Sequence, residues 1–219
     1  MQVTGAISVF CWIKCTGTNQ TIAGKWNTTG NQRSWNLILN GATGNKLQVT
    51  LSANGSANAK DYYGGTTLND NAWHHVGFTY DGNNTLKLYV DGAEESVTKT
   101  TDTSITAIHN STSKMALGAQ NATNPAVYFV GSMDEFTLHG KALTATEAAN
   151  LRTYGAWPLR GGLRAWYRCG DGDTYPTLTD NSGNGNDGTM TNMESGDIQT
   201  ADPSISNFQS EGDTWVVVE

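Results

Sequence analysis

Four polar side chains near the end of the sequence have the types and spacing of a metal-binding loop. They are Asp180, Asn184, Asn186 and Asp187, and glycines are interspersed among them. Calcium takes six to eight oxygen ligands, which carboxylates and amides on a Gly-rich loop can supply. Asn, Asp and Gly also dominate ordinary turns for conformational reasons. The sequence therefore leaves two interpretations, with Ca2+ as the candidate cofactor and a plain turn as the alternative.

Four aromatic residues are candidates for carbohydrate binding because each lies near turn-rich sequence: Trp26, Trp35, Tyr62 and Tyr63. An exposed aromatic ring can stack on a sugar ring while nearby polar groups bind its hydroxyls. The competing interpretation is a partly buried strand aromatic, which is the commoner case. The Tyr62-Tyr63 pair precedes two glycines and is the first choice for mutation.

Histidine-dependent nucleophilic catalysis is not indicated. His74 and His75 are adjacent, so on a strand their side chains point to opposite faces of the sheet. The sequence also has no Gly-x-Ser-x-Gly elbow and no glycine-rich phosphate signature. We predict no catalytic residues.

Short runs of alternating or continuous apolar residues, bounded by Gly, Asn and Asp, predict the elements that position these groups. Strands are expected at residues 7–14, 20–26, 34–39, 46–52, 73–80, 85–90, 114–118 and 132–138, followed by runs at 163–169 and 215–218. Their close spacing favours an all-β, two-sheet antiparallel sandwich or jelly roll. Asp81-Gly82 predicts a hairpin turn between the fifth and sixth strands, because both residues tolerate a positive φ.

One short helix is expected after the eighth strand. Thr144 is a suitable N-cap, Glu147 three residues later completes a capping box, and Gly155 ends the helix. The character of the sequence then changes. We predict a sandwich over residues 1–155 and an acidic C-terminal segment over residues 156–219 that is too polar to fold alone.

Composition and charge exclude several classes of function. Of the 20 acidic residues, 10 lie in residues 170–219, where no Lys or Arg occurs, and the net charge is −7. Nucleic acid is therefore an unsuitable partner. No apolar run is long enough for membrane insertion, and no signal peptide is visible. The three cysteines do not form a disulfide framework; Cys11 is expected to be buried, and a bridge between Cys15 and Cys169 stays open.

The order of these motifs resembles the laminin G-like domains of the concanavalin A-like lectin/glucanase superfamily. The resemblance covers residues 1 to about 155 and rests on five segments: ISVFCWIK at residues 7–14, WHHVGFTYDG at 73–82, KLYVDG at 87–92, GSMDEF at 131–136 and KALT at 141–144 with the helix that follows. It implies a lectin-like fold and, in such sandwiches, an acidic residue at the position of Asp134 near the loop of Asp180. Asp134 thereby joins the candidate metal ligands.

The resemblance also bears on catalysis. Retaining glycosidases of this fold carry a Glu-x-Asp-x-x-Glu strand that places two carboxylates close together on one face, and no such spacing occurs here. Asp134 and Glu135 are adjacent, so on a regular strand they would point to opposite faces. The resemblance therefore implies a non-catalytic module.

One departure from the family pattern concerns chain order. The strand LRAWY at residues 163–167 and the loop at 180–189 usually come first in such domains, whereas here they come last. The C-terminal segment could complete its own sandwich, complete a neighbouring subunit, or be the start of a truncated repeat; unpaired sheet edges favour either form of completion. By resemblance to phage and environmental virion proteins, we expect a structural or binding module on a virion or extracellular surface, of the decoration or tail-fibre type. Its expected partners are homo-oligomeric or other virion subunits and glycans.

Overall fold

A computed structural model shows how the chain folds. It describes residues 1–121, 123, 126–156 and 158–198, together with the backbone of two short strands at residues 208–209 and 215–218. The strands run in chain order: β1 Ile7–Cys15, β2 Gln20–Asn27, β3 Gln32–Asn40, β4 Lys46–Leu51, β5 Lys60–Thr67, β6 His74–Tyr80, β7 Leu86–Val90, β8 Ala93–Glu94, β9 Thr98–Asp102, β10 Met115–Leu117, β11 Gly131–His139, β12 Leu163–Tyr167, β13 Thr177–Leu178, β14 Gly188–Thr191, β15 Phe208–Gln209 and β16 Trp215–Val218. Helix α1 spans Ala145–Tyr154.

The strands form two antiparallel sheets. The smaller has the order β12-β11-β1-β6-β7-β8, with β15 also paired to β11, and the larger has the order β13-β14-β16-β10-β2-β3-β4-β5-β9. The main core lies between the sheets, where Trp35 of the larger sheet meets Phe78 of the smaller with ring centroids 6.1 Å apart. The predicted all-β sandwich is confirmed.

The predicted hairpin joins β6 and β7 in regular register, from Val76 opposite Val90 to Tyr80 opposite Leu86. Its turn is stabilised by the Asp81 carboxylate, which accepts hydrogen bonds from the N–H groups of Asn83 and Thr85 at 2.7 and 2.8 Å. Gly82 has φ = 76°, which a residue with a side chain rarely adopts. The expectation of a residue suited to positive φ at this turn is confirmed.

Helix α1 covers the outer surface of the smaller sheet. Thr144 and Glu147 form the predicted capping box, with Glu147 N–H donating to the Thr144 hydroxyl at 3.2 Å, and Gly155 ends the helix. Ala148 and Leu151 pack in a second apolar cluster with Phe10 and Trp166. No helix among the described residues is long and apolar enough to span a bilayer.

The chain beyond the predicted boundary pairs with the sandwich of the same molecule. Strand β12 lies antiparallel to β11, with Phe136 opposite Tyr167 and Leu138 opposite Ala165. Tyr167 and Ala165 are fully buried in the main core. The division of the chain near residue 156 stays a prediction.

Candidate functional site

The four aromatic candidates divide into three that are buried and one that is accessible. Trp26, Trp35 and Tyr62 are 6%, 2% and 2% exposed. The expected exposed rings are therefore not found at these three positions. Tyr63 is partly exposed.

The pleat of the sheet explains this division. Along β3, Trp35 shares its face with Leu37 and Leu39, and all three enter the core. On β5, Tyr62 lies opposite the core residue Val49, and its hydroxyl donates to the Asp102 carboxylate. Tyr63 is the next residue and therefore points out of the sheet.

Two rows of side chains cross the outer face of the larger sheet. Residues paired across antiparallel strands point to the same face, and the core residues Leu37, Val49 and Leu117 mark the inner one. Together the rows run from β10 to β5, a span of about 19 Å at the usual separation of strands. We call this surface the polar face; its first row is Ala116, Gly24, Asn36, Thr50 and Asp61, and its second is Thr21, Ile38, Gln48 and Tyr63.

Hydrogen bonds connect one half of the polar face. Gln48 Nε2 donates to Asp61 Oδ1 at 2.5 Å, and the Thr50 hydroxyl donates to the same oxygen at 3.4 Å. Asn40 Nδ2 donates to Gln48 Oε1 from the neighbouring strand, and Asn58 Nδ2 donates to Asp61 Oδ2 at 3.4 Å. Asp61 is the only acid of the two rows, and these amide and hydroxyl groups fix its orientation.

The other half is less completely hydrogen-bonded, although both halves are recessed, since Thr50 and Gln48 are only 5% and 8% exposed. Asn36 is 3% exposed and Thr21 is fully buried, yet neither Asn36 Oδ1 nor Thr21 Oγ1 has a hydrogen-bond partner among the residues that the structure describes. The segment after β10 borders this half, because the Thr21 N–H donates to the Val127 carbonyl at 3.1 Å and Tyr128 packs on Ala116. The polar face therefore has a tyrosine at each end.

The loop predicted to bind calcium is closed by its own hydrogen bonds. Asp180 Oδ1 accepts from the N–H groups of Trp166 and Ser182 at 3.0 and 2.9 Å, and Oδ2 accepts from that of Asn186 at 2.9 Å. Burial acts to raise the pKa of Asp180, but the hydrogen bonds from Ser182, Asn186 and Trp166 outweigh it and hold the pKa below its usual value. The carboxylate is ionised, and its charge stabilises the turn.

The remaining loop candidates also serve the turn. Asp187 Oδ1 accepts from the Asp180 N–H at 2.8 Å, while the side-chain amides of Asn184 and Asn186 donate to the carbonyls of Leu163 and Arg164 at 3.0 and 2.9 Å. The NH2 groups of both Asn side chains are thus used to bind the backbone of β12. A cation would be bound by amide oxygens, not by these NH2 groups.

Asp134 is enclosed in a different environment from Asp180. Its side chain is fully buried, Oδ1 accepts from the Glu135 N–H, and Oδ2 has no hydrogen-bond partner among the described residues. Burial, with a smaller effect of the neighbouring Glu135 charge, raises the pKa of Asp134 to about 9. A protonated carboxyl is a poor cation ligand. No group of three or more His, Cys, Asp or Glu in the described ranges is arranged to hold a metal ion, so these residues as they lie do not fit calcium, and its binding here stays a prediction.

Strict alternation fails at Asp134 and Glu135. Strand β11 is bulged opposite β1, between the pairs Phe10–Thr137 and Trp12–Asp134, and Glu135 has φ = 48°. The expectation that adjacent residues face apart therefore does not hold here. Glu135 instead accepts hydrogen bonds from Trp166 Nε1 at 2.6 Å and Arg168 Nε at 3.2 Å. Because Asp134 is inaccessible, the pair has no room for a substrate.

The two adjacent histidines do face apart. His75 is buried and stacks on Phe10 with ring centroids 5.4 Å apart, and burial lowers its pKa to about 3. His74 lies between two carboxylates, with Nδ1 2.8 Å from Asp91 Oδ2 and Nε2 3.2 Å from Asp70 Oδ1. The three cysteines are buried free thiols, so the bridge between Cys15 and Cys169 is not formed.

Comparisons with known proteins identify the family. A sequence model of the family described as the concanavalin A-like lectin/glucanases superfamily matches residues 1–149. A search of curated proteins found no match. The predicted family is confirmed, while origin in a phage or environmental virion stays a prediction.

Several solved structures share the fold. A protein from Bacteroides ovatus that is proposed to bind carbohydrate has a TM-score of 0.63 and 24% identity, over 84% of this chain and 51% of that one. The present chain thus spans about half the length of that protein. CBM40 of the Ruminococcus gnavus IT-sialidase, bound to α2,3-sialyllactose, has a TM-score of 0.50 and 16% identity over 68% and 84% of the two chains. Domains LG4-5 of the mouse laminin α1 chain have a TM-score of 0.48 and 16% identity over 67% and 38%.

Proposed function

Because the chain belongs to the concanavalin A-like lectin/glucanases superfamily, we propose that it is a non-catalytic module that binds carbohydrate on the polar face of its larger sheet. The observation that carries this proposal is the hydrogen-bonded set of Gln48, Thr50 and Asp61 beside the partly exposed Tyr63. These groups converge on one surface although they come from two strands.

The chemistry of the polar face suits a sugar. Amide and carboxylate groups can donate to and accept from neighbouring hydroxyls, and a fixed network loses little conformational entropy when the ligand binds. The Tyr63 ring lies beside Gln48 in register and offers apolar area to the ring carbons of a sugar. The face therefore combines the two kinds of contact that carbohydrate recognition needs.

The lack of a second acid on the polar face favours binding over hydrolysis. Glycosidases need two carboxyl groups on either side of the scissile bond. Among the nine residues of the two rows, Asp61 is the single carboxylate. This supports a module without catalytic activity.

The structural relatives supply a second line of support. The Bacteroides ovatus protein is itself proposed to bind carbohydrate, and the Ruminococcus gnavus CBM40 structure contains sialyllactose. We infer that the present sandwich uses its lectin-like fold for the same general purpose.

The test is a glycan array probed with the full chain, followed by titration calorimetry on any glycan that binds. We expect Tyr63→Ala to lower the affinity about tenfold, since one aromatic contact of about 1 kcal/mol or more is lost. Tyr154→Ala is the matched control, because Tyr154 is 66% exposed at the end of α1 on the other sheet. Absence of binding to every glycan, or equal affinity of the two variants, would refute the proposal.

The same array tests calcium. Running it with calcium and with EDTA measures whether the metal contributes, which the closed Asp180 loop argues against. A virion or extracellular surface location and a homo-oligomeric or virion partner are compatible with glycan binding and stay predictions.

A further inference from the structure

We propose that the glycan is uncharged and that one of its sugar residues sits over Gly24, where it is held by the side-chain amide of Asn36. This inference rests on the proposed function and specifies the ligand of the same face. It is carried by the unpartnered, buried Asn36 oxygen and by the charge of the two rows.

Gly24 creates a low point in the polar face. It lies between Ala116 on β10 and Asn36 on β3, so the first row has two small residues side by side. A Cβ atom at Gly24 would lie 2.6 Å from Asn36 Oδ1. The missing side chain is what lets the Asn36 amide lie flat in the recess.

The Asn36 oxygen has no hydrogen-bond partner within the described part of the chain, and the residue is only 3% exposed to water. Leaving a buried acceptor unpaired costs free energy, commonly about 1–3 kcal/mol. The terminal torsion of Asn is soft, so a small rotation turns the amide toward a ligand without moving the strand. A sugar hydroxyl that donates to Oδ1 would satisfy this acceptor.

The charge of the face selects against acidic sugars. The two rows contain no Lys, Arg or His, and they include the Asp61 carboxylate. Two bases border the rows by register: Lys46 lies two residues before Gln48 at the start of β4, and Arg33 lies opposite Trp26, next to the Gly24–Asn36 pair. The Arg33 guanidinium is held over the Trp26 ring and donates to the Ser56 carbonyl, at one end of the rows. A sialic or uronic acid over the rows would face Asp61 and find no cation between Gly24 and Tyr63, which disfavours it electrostatically.

The experiment compares matched glycans and matched variants. On the array, we expect lactose-type and other neutral oligosaccharides to bind at least tenfold more strongly than their sialylated or uronic counterparts. Sialidase treatment of the array should leave the neutral signals unchanged and should not abolish any signal. Asp61→Asn should reduce the difference in affinity between neutral and acidic glycans, because it removes the carboxylate charge from the rows.

The recess is tested with two glycine variants. Gly24→Ala should lower the affinity for the best neutral glycan about tenfold by displacing the Asn36 amide, whereas Gly161→Ala should leave it unchanged because a Cβ there meets nothing within 4 Å. If Gly24→Ala folds poorly, Asn36→Ala removes the amide directly and should give the same loss. Thermal unfolding checks that each variant is folded.

The outcomes separate the two proposals. Binding that Tyr63→Ala weakens, but that neither Gly24→Ala nor Asn36→Ala changes, would overturn this inference and leave the proposed function standing. Preferential binding of acidic glycans would also overturn it. Failure of the unaltered chain to bind any glycan would refute the proposed function itself.

Discussion

At the scale of single residues, Asp134 makes stability depend on pH. It is fully buried, its Oδ2 has no partner in the described ranges, and burial raises its pKa to about 9. In the unfolded chain the same carboxyl titrates near pH 4. Between these values the unfolded chain releases a proton that the folded chain keeps, so the free energy of unfolding falls as the pH rises.

We therefore predict that Asp134→Asn stabilises the protein above pH 6 and flattens its pH dependence. Asn resembles the neutral acid in shape and has no proton to lose, so the slope from this group, up to about 1.4 kcal/mol per pH unit, should disappear. Urea unfolding of both proteins at several values between pH 6.5 and 8 measures it, because the buried histidines His75 and His139 contribute equally to the two profiles and cancel in their difference. If the free energy of unfolding of the two proteins changes in parallel with pH, the raised pKa of Asp134 is contradicted.

At the scale of elements, the exposed edge strand β9 pairs with β5 through its backbone, and one carboxylate adds side-chain contacts between the two strands. Asp102 accepts a hydrogen bond from Lys60 Nζ at 2.7 Å and from the Tyr62 hydroxyl, and Lys99 Nζ lies 2.9 Å from its other oxygen. The Lys60 side chain is fully buried, whereas that of Asp102 is 37% exposed. Hydrogen bonds from Lys60, Tyr62 and Lys99 hold the pKa of Asp102 below its usual range.

Asp102→Asn should destabilise the protein by about 2 kcal/mol, because the Lys60 charge would be left buried without its counterion. The figure is below that for a fully buried pair, since solvent reaches Asp102. Glu94→Gln is the matched control; it breaks a surface pair with Lys87 and should cost less than about 1 kcal/mol. The stabilisation by Asp102 is present above pH 4 and disappears as the pH falls below that value. The difference in the free energy of unfolding between the native protein and Asp102→Asn should therefore become smaller in acid. Equal changes in the free energy of unfolding for the two substitutions, measured by chemical denaturation, would contradict this role of Asp102.

The elements that the sequence predicts well are those with apolar runs or capping residues within their own segment. Strands β1 to β4, the β6–β7 hairpin and α1 match the expected positions because apolar periodicity and capping residues are local signals. Strands β5 and β9 were not predicted, since KDYYGGTT and TKTTD have no apolar alternation. They join the sheet through backbone pairing, β5 with β4 and β9 with β5, which local apolar patterns do not reveal.

The candidate site was only partly predictable for the same reason. Alternation in β3 is enough to place Trp35 inside and Asn36 outside. It does not reveal that Asn36 lies beside Gly24, or that Thr50 lies beside Asp61, because that requires the order and register of strands. Tyr63 was among the predicted residues. The neighbouring Gln48 and Asp61 side chains were not, because only the pairing of β4 with β5 brings them beside it.

At the scale of the whole molecule, the segment after α1 contributes to both apolar clusters. Ala156, Leu163 and Trp166 pack with Phe10 under α1, while Tyr167 enters the core between the sheets. Without these residues, β11 would present an unpaired edge, which favours aggregation. The described residues of β12 thus pair with the sandwich of their own chain, while completion of the sandwich by the whole acidic segment stays a prediction.

This arrangement predicts how a chain cut near the proposed boundary behaves. With a protease site inserted between residues 155 and 158, the cleaved protein should remain a single particle in gel filtration, because β12 stays paired with β11 and buried beside it. Residues 1–155 expressed alone should aggregate, and co-expression with residues 156–219 should restore solubility. A stable monomer of residues 1–155 with unchanged thermal stability, or release of the C-terminal fragment on cleavage, would show that the segment does not close the sandwich. Exchange of the fragment between labelled particles would instead show that a neighbouring molecule can supply the same strand. Such strand exchange between copies would lead to oligomers.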